Sequence, residues 1–225
     1  MATEGSKARL RARPGRPAEA VGEGERPLGL DRTRDGWMHV PRNAVDGMVP
    51  LAVLLHGAGG DAAQMRFAIP AAEAVGAAVL APESRGRTWD VILGSYGPDV
   101  TFIDRALAHV FSRVAVDVTR IGVGGFSDGA SYALSLGLSN GDLFSDVLAF
   151  SPGFLAAPAR HGQPRIFISH GTHDEVLPID RTSRRLTPAL TRAGYTVTYR
   201  EFDGPHTVPP TMVDEAFRQL ATRRT

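Results

Sequence analysis

Five short apolar runs punctuate the chain between residues 50 and 170, and each is followed by a polar or glycine-rich stretch. The first, Leu51 to Leu55, is unbroken and ends in His56-Gly57-Ala58-Gly59-Gly60. Continuous runs of this length are buried strands of a parallel sheet, covered by helices on both faces. Ala77 to Ala81, Arg120 to Phe126, Asp146 to Phe150 and Arg165 to Ser169 follow, and Tyr195 to Phe202 reads as a last strand. Helical periodicity fills the gaps at Ala62 to Val75, Asp99 to Ala115, Ser127 to Leu138, Asp180 to Arg192 and Pro210 to Arg223. Asp99 and Asp180 stand where helix N-caps are needed. Upstream, Trp37 to Val40 is a short strand closed by Pro41. Ala8 to Arg13 alternates small or apolar residues with Arg, the pattern of an edge strand with one charged face. Residues 1–8 are expected to lack order. The regular alternation predicts an α/β fold, a mostly parallel central sheet with helices on both faces. No linker divides the 225 residues, so one domain is expected over the whole chain.

Composition narrows the chemistry. A 24.0 kDa chain that is 43% hydrophobic can bury a core without a covalent or metal staple. It has no cysteine, which excludes a disulfide framework, a cysteine-ligated metal and a thiol nucleophile. Its net charge of +1 points to no nucleic-acid partner. No apolar window is long enough for a membrane span. The polar stretch Met1 to Pro27 lacks the apolar region of a secretory signal, so the expected location is cytoplasmic.

Function in parallel α/β sheets collects at the carboxyl ends of the strands. Gly125-Phe126-Ser127-Asp128-Gly129 sits where a strand meets a helix, the pattern of a nucleophile elbow. A chance match to that pattern is expected about 0.15 times in a chain of this length, and less often in this context. Asp174 follows the run Ile166 to Ile168 and is the candidate acid, with Glu175 as its fallback; alone, it reads equally as a turn residue. His206, in Asp203-Gly204-Pro205-His206-Thr207, is the candidate general base. A lone loop histidine is usually only solvated, but the order Ser127, Asp174, His206 is that of α/β-hydrolases. The backbone N–H groups of Ala58 and Asp128 are the candidate oxyanion donors. His56 reads as structural. The rival reading is a dinucleotide fingerprint at Gly57 to Ala62 with Glu83 beyond it. That pattern is expected about 0.7 times by chance in so Gly- and Ala-rich a chain, and it leaves Ser127, Asp174 and His206 unexplained.

The segments LLHGAGGDA, GFSDGA, ISHGTHDEVLP and DGPHTVP resemble the α/β-hydrolase superfamily, nearest to its phospholipase/carboxylesterase group of small serine esterases. The group is also similar in fold to dienelactone hydrolase, whose cysteine nucleophile this chain lacks. The resemblance runs from about Trp37 to the C-terminus and implies a serine esterase acting on a small-molecule ester without metal or organic cofactor. Lysophospholipase, thioesterase, polyester or peptide hydrolysis on the same triad is the near alternative, and a non-catalytic binding protein the distant one. The group often has glutamine after the serine; here it is Asp128, which adds negative charge beside the elbow. The dozen residues between Phe154 and Ile166 are too few for a cap domain, so an open cleft is expected, walled by Trp89, Tyr96, Phe154 and Leu177. Arg85 and Arg87 are candidates for meeting a substrate carboxylate, or simply solvated.

Overall fold

The computed structural model describes residues 3–42, Ala44 and residues 47–223. One sheet of eight strands organises them: β1 (Gly24–Pro27), β2 (Gly36–Val40), β3 (Val49–Leu55), β4 (Ala78–Pro82), β5 (Val116–Phe126), β6 (Asp146–Phe150), β7 (Arg165–Gly171) and β8 (Val197–Phe202). Their spatial order is β1-β2-β4-β3-β5-β6-β7-β8. The pairs β1·β2 and β2·β4 are antiparallel, and every later pair is parallel. β3, β4 and β6 are buried along their whole length, as continuous apolar runs covered on both faces must be.

Two hydrophobic layers sandwich the sheet. One holds α3 (Pro98–Phe111) and α4 (Asp128–Ser139). The other holds α2 (Ile69–Val75) and α6 (Pro210–Ala221). α5 (Ser183–Arg192) lies beside β7 and β8. Helix α4 is buried from Gly129 to Ser139, including three serines spaced by four. Ser131, Ser135 and Ser139 each donate to the carbonyl four residues back. Ser131 and Ser135 also accept the N–H groups of Gly153 and Ala156, both at 2.8 Å. The loop after β6 is thereby laced to α4. No helix lies between β6 and β7, as the short spacing predicts.

Several local expectations change. Ala8 to Arg13 is not a sheet strand but an extended strap over α3 and α4. Its N–H groups find side chains instead: Leu10 donates to Asn140, and Arg11 and Ala12 donate to Asp104. The sheet edge is β1, whose sequence carries no apolar run. Residues 3–8, expected to lack order, contain a helical turn, α1 (Glu4–Lys7), and a buried Ala8; Met1 and Ala2 lie outside the described residues. The stretch 62–75 is a 3₁₀ segment, Ala62–Ala68, followed by α2, which starts with Pro70 in its first turn. Asp99 is inside α3 rather than its cap. The capping oxygen comes from Asp90, which accepts the N–H groups of Gly97 and Asp99 at 2.9 Å each. Asp180 lies in a 3₁₀ turn, Ile179–Arg181, and pairs with Arg184. Among the described residues no helix is long and apolar enough to cross a membrane.

β5 carries the candidate nucleophile, and Asp117 anchors its start. Asp117 accepts Thr119 N–H and Oγ1–H at 2.9 and 2.6 Å and Arg120 Nε–H at 2.9 Å. Burial opposes its ionisation, but the bonds from Thr119 and Arg120 outweigh this and bring its pKa from 3.8 to about 2. A carboxyl depressed in the folded state stabilises the fold above its unfolded pKa and loses that stabilisation as pH falls through the folded one. Asp117→Ala should therefore lower stability at pH 7 by about 1–3 kcal/mol, with the difference from the parent shrinking between pH 4 and pH 2. Urea unfolding across that range checks it; a difference that stays constant would refute it.

Candidate active site

The candidate nucleophile stands on a turn with no room for side chains. Ser127 has φ 58° and ψ −119°, a conformation that L-residues rarely adopt. A Cβ on Gly125 would sit 2.5 Å from the Leu55 carbonyl oxygen and 2.6 Å from the Gly129 carbonyl carbon. A Cβ on Gly129 would lie 2.0 Å from the Leu55 oxygen. Only glycine at both positions lets α4 begin directly over β3 and β5. The Ser127 N–H donates to the Phe150 carbonyl at 2.9 Å, which extends the ladder one residue beyond β5.

The loop after β3 comes against this turn: a Cβ on Gly57 would be 3.5 Å from Ser127 Cβ. Ala58 is exposed there. Among the described residues, neither the Ala58 nor the Asp128 N–H donates a hydrogen bond within the protein. That of Asp128 belongs to the N-terminus of α4. His56 beneath the loop is fully buried, and its ring is spent on structure: Nδ1–H donates to the Gly57 carbonyl and Nε2 accepts from Ser84 N–H. Burial lowers its pKa and keeps it neutral.

Asp174 and His206 meet at the ends of β7 and β8. A Cβ on Gly171 would lie 2.4 Å from the Gly204 carbonyl oxygen, so the two loops touch through backbone. His206 Nδ1 and Asp174 Oδ2 are 2.5 Å apart. The His206 ring also stacks on Phe126, the residue before Ser127, with centroids 4.6 Å apart. This contact sets the imidazole beside the elbow. Asp174 is 5% exposed, and its Oδ1 accepts the N–H groups of Val176 and Leu177 at 2.9 and 2.7 Å. Burial raises its pKa, but the Leu177 N–H and the two flanking histidines more than offset this, so it stays an ionised carboxylate. Glu175 is exposed; the carboxyl that holds His206 is that of Asp174.

The second flanking histidine is His170, which is not among the residues expected at the site from the sequence. Its Nε2 lies 2.8 Å from the Leu177 carbonyl and 3.1 Å from Asp174 Oδ2. Its Nδ1 is 2.7 Å from Ser183 Oγ. Burial lowers its pKa, so the ring is neutral, with Nε2 as donor and Nδ1 accepting from Ser183. Its Nε2–H is spent on the Leu177 carbonyl, so the His170 ring lies beside Asp174 Oδ2, while the hydrogen bond to that oxygen comes from His206. The signal was the His170-Gly171-Thr172-His173-Asp174 run, read only for its acid.

The expected walls divide. Trp89 and Tyr96 are 0% and 3% exposed and face the interior. The Trp89 indole N–H donates to the His56 carbonyl at 2.8 Å, and the Tyr96 hydroxyl donates to the Ala156 carbonyl at 3.0 Å. Trp89 supports the loops from within, whereas Tyr96 also lines a shallow cleft with Val91, Ser95 and Ala157. Phe154 and Leu177 are half-buried, and Leu177 packs against Gly153. Leu93 and Val176, 74% and 65% exposed, sit on loops of the same sheet end. Arg85 is committed to Asp31 and the face of Phe102, whereas Arg87 is exposed. The Gly57–Ala62 stretch of the rival dinucleotide reading leads into a 3₁₀ segment, and Glu83 faces Arg34 at 3.9 Å. No group of three or more His, Cys, Asp or Glu residues suited to a metal occurs among the described residues.

Comparison with known proteins places the fold and the family. A probable feruloyl esterase C of Aspergillus niger is 30% identical over 122 residues, covering 54% of this chain and 44% of its own. The chain thus spans less than half the length of that relative. Two solved structures share the fold. The esterase PE8 is 21% identical, with TM-score 0.67, over 82% of this chain and 96% of its own. An S-formylglutathione hydrolase of Staphylococcus aureus is 16% identical, with TM-score 0.70, over 91% and 99%. The phospholipase/carboxylesterase model matches residues 100–223, a span that takes in Ser127, Asp174 and His206. The chain belongs to the phospholipase/carboxylesterase family of the α/β-hydrolase fold.

Proposed function

We propose that the protein is a serine esterase that hydrolyses carboxylic esters of small molecules through Ser127, His206 and Asp174. The observation that carries this reading is the 2.5 Å bond from His206 Nδ1 to Asp174 Oδ2, with the His206 ring against Phe126, the residue before a serine held at φ 58°. Membership in a carboxylesterase family supports the ester as substrate, as does the esterase name of the Aspergillus niger relative.

The steps follow from the proton positions. Asp174 accepts from Nδ1–H of His206, which leaves Nε2 unprotonated as the base. His206 takes the Ser127 proton as Oγ bonds to the ester carbonyl carbon. The carbonyl oxygen becomes an oxyanion, and the N–H groups of Ala58 and Asp128 stabilise it. The intermediate then collapses: the carbon–oxygen bond to the alcohol breaks, and the alkoxide leaves with the proton from His206. Water attacks the acyl-enzyme, gives its proton to His206, and the acid departs as that proton returns to Ser127. No electron transfer or further reactant is needed.

Ser127→Ala should cut ester turnover by about 10⁴–10⁶ while the fold remains intact. Hydrolysis of a nitrophenyl ester, with circular dichroism as the folding control, measures this, and unchanged turnover would sink the assignment. Asp174→Asn keeps one oxygen for Val176 and Leu177 but turns an NH₂ toward His206, forcing the wrong tautomer; kcat should fall about 10⁴-fold. A histidine base must be neutral to accept the serine proton, so turnover should fall on acidification. A pH–rate profile that stays flat down to pH 4 would count against His206.

A further inference from the structure

The two candidate oxyanion donors come from different strands, Ala58 after β3 and Asp128 after β5. Three consecutive residues after β4 reach both. The Arg87 carbonyl accepts the Gly59 N–H at 2.7 Å. The Thr88 hydroxyl donates to Asp128 Oδ2 at 2.6 Å. The Trp89 indole N–H donates to the His56 carbonyl at 2.8 Å. Ala58 is therefore held through the loop on both sides of it, and Asp128 through its side chain, by a single tripeptide. That tripeptide is itself fixed. The Trp89 ring is buried between His56 and Tyr132, at centroid distances of 5.0 and 5.2 Å. The next residue, Asp90, accepts from Tyr132 and from the start of α3.

We infer that Thr88 is a positioning residue for the oxyanion-binding amides, its hydroxyl holding the Asp128 carboxylate aside and registering the start of α4 against the Ala58 loop. The inference rests on the reading of Ser127 as nucleophile. Two physical effects follow from losing the hydroxyl. The turn that carries the Asp128 N–H loses its tie to the β4 segment, and small misplacements near a reacting centre are costly. The freed carboxylate also gains access to the place where the oxyanion's negative charge develops, and like charges there raise the barrier. Both effects act on the transition state and leave ground-state binding nearly unchanged.

The test compares Thr88→Val, which keeps the shape and removes the hydroxyl, with Thr88→Ser, which keeps the hydroxyl. Thr88→Val should lower kcat about 10- to 100-fold with KM within about twofold, and weaken inhibition by a boronic acid, a mimic of the tetrahedral adduct, to the same degree. Thr88→Ser should restore most of both. Asp128→Ala breaks the same bond from its other end, keeps the backbone N–H, and should make a second change at Thr88 nearly silent. A parental kcat in Thr88→Val, a change in KM alone, equal defects in the Ser and Val variants, or strict additivity with Asp128→Ala would each overturn the inference. If Thr88→Val does not fold, Thr88→Ala takes its place: a parental kcat in Thr88→Ala refutes the inference, whereas a loss in kcat there with Thr88→Ser near parental supports it. Fluorophosphonate labelling of Ser127 in every variant separates the two levels. Labelled Ser127 with a silent Thr88 defeats this inference alone, while unlabelled Ser127 in the parent defeats the esterase reading beneath it.

Discussion

The absence of space between β3, β5 and the start of α4 governs the rest of the molecule. Leu55, Gly125 and Gly129 approach so closely that one added carbon at either glycine would overlap backbone by more than an ångström of ordinary contact distance. A chain pressed this tightly cannot turn from strand to helix in the usual region of backbone space, so Ser127 takes a positive φ. Strain of that kind costs on the order of 1–3 kcal/mol and persists only when the surroundings over-determine it. Here they do: the helix behind the serine is buried from Gly129 onward, and the strands on either side are buried throughout. Burial of α4 in turn requires that its polar groups be satisfied internally, which Ser131, Ser135 and Ser139 accomplish together with the loop after β6.

The strand ends use the sheet's stagger in the same way. Ser127 N–H bonds Phe150 and Ser151 N–H bonds Ser169, so the ladder runs one residue past each named strand before the chain turns away. Ser151, like Ser127, has a positive φ. Asp174 and His206 follow from the next strands outward, and their loops touch where Gly171 meets Gly204. Asp174, His206 and Ser127 are therefore carried on three loops whose roots are hydrogen-bonded to one sheet. Functional groups on rigid roots hold their geometry better than groups on free loops.

Much of this was legible because it depends on short-range pattern. An apolar run followed by glycine marks a strand end, and the three candidate triad residues each follow such a run. What escaped has physical reasons. β1 is an edge strand with no apolar run, held partly by the exposed pair between Glu25 and Arg66. The strap at 8–13 has a strand's alternation, but its N–H groups bond Asn140 and Asp104, partners some hundred residues away. Trp89 proves to be a support, although an aromatic near a strand end suits a wall as well. Only depth separates the two roles, and a single sequence carries no depth. His170 comes beside Asp174 only once the loop to Leu177 has folded back, so the run from His170 to Asp174 hints at the pairing without showing it.

A site without a cap has to take its rigidity from below. Larger hydrolases can close an inserted domain over the substrate; here the chain between β6 and β7 is only a loop laced to α4. The compensation lies in links between strands that the sheet alone would not provide. The segment after β4 reaches across β3 to β5 through Gly59, His56 and Asp128. Asp174 gathers three donors from His206, Val176 and Leu177, and so ties the end of β7 to the loop after β8. Each carboxylate near the serine is thus engaged by fixed donors before any substrate arrives. Charges and dipoles held in place beforehand need little reorganisation when charge develops nearby, so these fixed contacts can supply the rigidity that a cap would otherwise give.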